Sequence, residues 1–109
     1  KTFDGFAPLG PHLVTSDLVG DPNNLRLECR INGEQRQDWN TNDMIFSIAR
    51  IVSDVSQYVE LQPGDLITTG TPQGVGLGMK PERYLKAGDR MILGIQGLGE
   101  QHQTVGTWS

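Results

Sequence analysis

Between residues 25 and 31 apolar and charged positions alternate: Leu25, Leu27, Cys29 and Ile31 are separated by Arg26, Glu28 and Arg30. A period of two is the signature of a strand with one covered and one wet face. Asn32-Gly33 follows at once; both residues tolerate the positive φ that a type I′ turn demands. The pattern predicts a β-hairpin from Leu25 to about Asp38. Further on the period changes, with Met44, Ile48, Ile51, Val52, Val55 and Val59 recurring at spacings of three and four. That is the apolar stripe of an amphipathic helix, predicted from about Asp43 to Tyr58. Thr41 or Asn42 supplies a cap for its free amides, Asp43 suits its positive end, and Pro63-Gly64 closes the element.

The remaining segments are rich in turn formers. In "KTFDGFAPLGPHLVT" the residues Pro8 and Pro11 exclude a helix interior, so an irregular loop feeding a short strand at His12–Thr15 is expected. Asp21-Pro22 and the two asparagines after it mark a turn. "DLITTG" reads as a short strand leaving a Pro-Gly-Asp turn. "PERYLKAGD" reads as irregular, ending on a second turn of the same kind at Ala87-Gly88-Asp89. The terminal stretch reads as a hairpin turning near Gly97 to Gly99. With 109 residues the expected class is a single, mainly β domain of α+β type with one main helix near 43–58.

Charge and composition narrow the function. The net charge of −4 and the scattered lysines and arginines speak against nucleic acid as a partner. No apolar run approaches the length of a membrane span. The single cysteine, Cys29, excludes an internal disulfide and suits a reducing compartment, the cytoplasm or, in a eukaryote, the mitochondrion. The first residues read as the middle of a folded element, so residues 1–109 are expected to be the carboxy-terminal part of a longer protein.

The loop "ITTGTPQGVGLGMKP", residues 67–81, raises the question of a phosphate cradle. A P-loop needs Gly-Lys-Ser/Thr, and no Gly-Lys pair is present; Gly74, Gly76 and Gly78 give G-x-G-x-G followed by Pro81, which disfavours the helix a dinucleotide site requires. There is no G-x-S-x-G elbow, and His12 and His102 are best explained as strand or surface residues. Cys29 falls on an apolar strand face, where a thiol is usually inert. Asp43 is explained by helix-end chemistry, and Asp65 and Asp89 by turns. What remains is Thr69, Gly70 and Thr71 at the tip of an expected strand. A hydroxyl beside exposed amides can hold a carboxylate or carbonyl oxygen there; a β-turn with satisfied hydroxyls is the plainer alternative.

Three stretches carry a resemblance: "KTFDGFAPLGPHLVT", "NGEQRQDWNTNDMIFS" and "PGDLITTGTPQGVGLGMKP". Together, and in this order, they resemble the carboxy-terminal half of the fumarylacetoacetate hydrolase family, most of all members grouped with 2-oxo-dioate isomerases, acylpyruvate hydrolases and oxaloacetate decarboxylases. The resemblance implies a mixed, twisted β-roll, usually a homodimer. It implies a divalent cation (Mg²⁺, Mn²⁺ or Ca²⁺) on an E-x-E pair and an aspartate, chelating a small 2-oxo acid and stabilising its enolate. It implies two roles for this segment. Lys1, which opens K-x-F-D, would stabilise negative charge as a catalytic residue. Thr71, of T-G-T-P, would contact the substrate carboxylate. Gly5 stands where relatives often carry threonine. The E-x-E pair, the metal aspartate and the catalytic His-Glu elements match nothing in this sequence and are expected upstream. The segment alone is therefore expected to be inactive and to expose apolar surface. A module that keeps the fold without turnover is the alternative.

Overall fold

The alternating stretch pairs with its neighbour as its pattern demands. In the computed structural model, which describes residues 3–107, strand β1 (Arg26–Ile31) runs antiparallel to β2 (Glu34–Asn40). Asn32 and Gly33 take φ of 52° and 83° at the turn, the left-handed geometry a type I′ hairpin requires. The ladder holds one irregularity. Cys29 faces Gln37 and Arg30 faces Gln35, so Arg36 has no partner on β1 and forms a β-bulge.

Strands β3 (Arg90–Ile95) and β4 (Gly99–Thr104) form the terminal hairpin. Gly97 and Gly99 supply the positive φ at its turn, 79° and 81°. Strand β3 also lies antiparallel to β1, giving a four-stranded antiparallel sheet in the order β2-β1-β3-β4. Asn32 ties the two hairpins together. Its Nδ2 donates to Asp89 Oδ1 at 2.9 Å, its Oδ1 accepts from the Arg90 amide at 2.9 Å, and its own amide donates to the Arg90 carbonyl at 2.8 Å.

The helix is present but shorter at both ends than the apolar stripe suggests. A single helical turn, α1, occupies Ser16–Val19, and the main helix, α2, occupies Ile48–Ser56. Two caps compete for the amino-terminal end of α2. The Asn40 side chain accepts from the Asn42 amide at 2.9 Å and closes a separate 3₁₀ turn at Thr41–Asp43. Met44 is then extended, and Ser47 starts the helix by accepting from the Arg50 amide at 3.3 Å. Thr41 fixes this junction: its hydroxyl accepts from the Leu25 amide and donates to the Pro22 carbonyl, both at 2.8 Å.

The expected strands at 12–15 and within 65–70 do not form. Neither segment pairs with a described strand, and Leu13 and Leu66 are 90% and 62% exposed. A run of β-prone residues gains nothing from extension unless a ladder receives it.

Burial is slight. Among the described residues only Leu25 and Cys29 form a buried apolar core, on the covered face that the alternation predicts. The molecule exposes 8871 Å², where a folded monomer of 12.0 kDa exposes roughly 6,000 Å². Large apolar side chains stand open, among them Leu13, Leu18, Ile45 and Tyr58, which is the exposed apolar surface expected of the segment alone.

Candidate functional site

Residues 67–81 lie along β2, and the glycines explain how. A Cβ on Gly74 would stand 2.1 Å from the Arg36 carbonyl oxygen and 2.9 Å from Gln37 Cγ; one on Gly76 would stand 2.1 Å from the Arg83 carbonyl oxygen. Both are contacts no side chain survives. Gly74 lets the loop touch the bulge at Arg36, and Gly76 lets it touch the backbone of Arg83. Gly74 and Gly76 therefore serve close packing; Gly70, at φ 96° with nothing within 4 Å, supplies a backbone conformation that other residues rarely adopt.

Polar groups of β2 hold the same loop. Arg83 makes a bidentate pair with Glu34, Nη1 to Oε1 at 2.9 Å and Nη2 to Oε2 at 2.8 Å. Arg83's hydrogen bonds hold the Glu34 carboxyl below its usual range. The Arg36 side chain is largely covered, donates to the Met79 sulfur and has Nε 3.4 Å from Glu34 Oε1. Further along β2, Gln37 Nε2 donates to Thr71 Oγ1 at 3.0 Å, to the Pro72 carbonyl at 3.1 Å and to the Gln73 carbonyl at 3.2 Å.

Thr71 lies at the rim of a cleft of about 420 Å³. One wall is the segment Thr69–Gln73; the other is the 3₁₀ turn with Met44, Ile45 and Phe46, and Leu27 and Trp39 of the sheet also line it. The cleft is apolar with a few polar groups, among them Asp43 and Thr71, a composition suited to a small organic ligand. The expectation for Asp43 is met only in part: it ends the 3₁₀ turn, not the first turn of α2, and it lines the cleft.

Other candidates fall away from this cleft's chemistry. Burial raises the Cys29 thiol above its ordinary pKa, against a weaker opposite pull from Arg36, as an inert buried thiol requires. His102 Nε2 is 3.3 Å from Glu100 Oε2 on β4, and His12 packs beside Gly99. Among the described residues no three His, Cys, Asp or Glu side chains group as a metal site. The described residues therefore do not by themselves offer the donors that a divalent cation needs. Lys1 lies outside the described residues. Gln37, the residue that grips the loop, has no signal in the sequence, because an amide in "EQRQDW" reads as one more wet-face position.

The family model for the fumarylacetoacetate (FAA) hydrolase C-terminal region matches residues 1–106. The chain is 54% identical over 109 residues to the 2,4-didehydro-3-deoxy-L-rhamnonate hydrolase of Sphingomonas sp. (strain SKA58), covering 99% of this chain and 38% of that protein. It is also 54% identical over 99 residues to a mitochondrial oxaloacetate tautomerase of Bos taurus, covering 91% of this chain and 32% of that one. Among solved structures, the maleylpyruvate hydrolase of Sphingobium sp. SYK-6 in complex with manganese(II) and pyruvate aligns with a TM-score of 0.86 at 38% identity, over 95% of this chain and 37% of its own. The chain thus spans about a third of the length of the curated relatives it matches.

Proposed function

Because the chain belongs to the fumarylacetoacetate hydrolase family and matches its carboxy-terminal part, we propose that it helps form a metal-dependent enzyme acting on a small 2-oxo acid. The cation is Mg²⁺, Mn²⁺ or Ca²⁺, held by residues beyond this segment; when bound it supplies a Lewis acid to the substrate oxygens. This chain's own part is to bind and orient. Thr71 holds a substrate oxygen at the rim of the cleft, and Lys1 brings an ammonium to the charge that develops there. The observation that carries the reading is the position of Thr71, in the T-G-T-P loop, beside an apolar cleft wide enough for such an acid.

The two relatives of equal identity are named for different reactions, one a hydrolase and one a tautomerase. Sequence likeness over this segment therefore does not select between C–C hydrolysis, decarboxylation and isomerisation. The excess exposed area supports assembly. About 2,900 Å² beyond the expectation for this mass, on one chain, is more than the roughly 800 Å² that each partner contributes to a standard interface. The remainder of a longer polypeptide and a second subunit of a homodimer are proposed to cover it. A reducing compartment, cytoplasmic or mitochondrial, suits the free thiol of Cys29.

The test is a Mg²⁺- or Mn²⁺-dependent assay of the full-length protein on oxaloacetate, acetylpyruvate and a 2-oxo-heptenedioate. Turnover of one of them is expected. Absence of turnover on all three, with an apolar residue in place of either upstream glutamate, would establish the non-catalytic module instead. Within an active enzyme, Thr71→Val is expected to raise KM about tenfold, the worth of one hydrogen bond to a charged oxygen, with metal content unchanged. Lys1→Met is expected to lower kcat chiefly; wild-type rates would remove Lys1 from the mechanism.

A further inference from the structure

We infer that Gln37 is a positioning residue that fixes Thr71 as a hydrogen-bond donor toward the cleft, so that the site selects a ligand presenting an acceptor oxygen there. The inference rests on the reading of the loop given above and concerns a residue on a different element. Two of the three oxygens around Gln37 Nε2 are backbone carbonyls, of Pro72 and Gln73. A carbonyl only accepts, so the nitrogen end of the carboxamide must face the loop. An amide nitrogen donates and does not accept, so the third partner, Thr71 Oγ1 at 3.0 Å, is an acceptor too, the two N–H hydrogens being shared among three oxygens.

A hydroxyl that accepts on one side still has its own proton to place. Among the described residues the Thr71 proton finds only the Pro72 carbonyl, at 3.4 Å, a long contact to an oxygen that also accepts from Gln37 at 3.1 Å. An anionic or ketonic oxygen in the cleft is the better acceptor. An ammonium or an amide N–H at that point would compete with Gln37 for the lone pairs of the same oxygen. Gln37 thus gives the rim a polarity that threonine alone lacks, since a free hydroxyl rotates to suit either partner.

The fold makes this possible through β2. It is an edge strand of the described sheet, and Gln37 directly follows the bulged residue Arg36. The same bulge presents the Arg36 carbonyl against Gly74. The loop is therefore gripped on either side of Gln73, by the carboxamide at 71–73 and by the backbone contact at 74, and the Thr71 hydroxyl is held at a fixed place on the rim.

The experiment uses the full-length protein with its metal and whichever 2-oxo acid it turns over. Gln37→Met keeps the length and removes the donors; Gln37→Glu keeps the shape and puts acceptors where donors stood. Gln37→Met is expected to raise KM about tenfold, leave kcat within about threefold, and leave metal affinity and Tm unchanged. Combined with Thr71→Val it is expected to add little, because both remove one interaction. Gln37→Glu is expected to be worse than Gln37→Met at neutral pH and to approach it as the pH falls, because a protonated carboxyl donates again; a purely structural role would give no such profile. Faster hydrogen exchange at the amides of residues 73 and 74 is expected in both variants. Thr71→Val impaired with wild-type kinetics in Gln37→Met would overturn the inference alone. Wild-type kinetics in Thr71→Val would overturn the reading of the loop and this inference with it. Additive effects, or a pH-independent Gln37→Glu defect, would also overturn it.

Discussion

Two turns in this chain have nearly the same chemistry and opposite outcomes. At Gln62–Asp65 the Asp65 carboxylate accepts from the Gln62 amide at 2.7 Å, the Asp65 amide donates back to the Gln62 carbonyl at 3.0 Å, and Gly64 takes φ 99°. At Lys86–Asp89 the corresponding distances are 2.8 and 3.0 Å, and Gly88 takes φ 89°. A strand follows the second turn and none follows the first. The difference lies in what else holds the second aspartate. Asp89 also accepts from Asn32, its carbonyl accepts from the Val105 amide, and the Gly88 amide donates to the Val105 carbonyl. A local turn aims the chain; only a waiting ladder turns that aim into a strand.

The strongest way to break this contrast is to remove the weld. Asn32→Ala in the full-length protein deletes both side-chain bonds and leaves a Cβ-bearing residue at φ 52°. A loss of about 2 kcal/mol is expected from denaturant unfolding, with early loss of exchange protection along β3. A smaller effect should separate the two aspartates. Asp89→Ala is expected to lower Tm roughly twice as far as Asp65→Ala, since it cuts a bond to the other hairpin as well as one within its own turn. Equal shifts would mean that the turns, and not the ladder, set the stability here. The smallest effect is on the acid side. Hydrogen bonds from the Asn32 side chain and the Lys86 amide hold the Asp89 carboxyl below its ordinary pKa. A depressed folded value means stability present above the unfolded pKa of about 3.9 and lost as pH falls through the folded one. Asp89→Asn should flatten that acid limb, as read from Tm against pH.

The same contrast explains what the sequence disclosed. The hairpin at 25–38 was legible because Asn32-Gly33 and the alternation of Leu25 to Ile31 act within a few residues and agree. The terminal hairpin was legible for the same reason. The stretches at 12–15 and 65–70 were not, because strand formation depends on a neighbour that a local pattern cannot name. The start of α2 was blurred by rival caps at Asn40 and Ser47, each adequate alone. Thr71 stood out through the family's T-G-T-P loop; its periodicity says nothing. Gln37 was invisible, because its role comes from three oxygens more than thirty residues away along the chain.

The extra residue at Arg36 has a consequence for anyone reshaping this protein. Deleting it would zip β2 and β1 into an uninterrupted register, a change that ordinarily rewards a sheet. Here the tidier sheet would withdraw the carbonyl on which Gly74 rests and rotate the glutamine beside it. Regularity and loop packing compete at one position, and the irregular version is the one against which residues 71–74 rest.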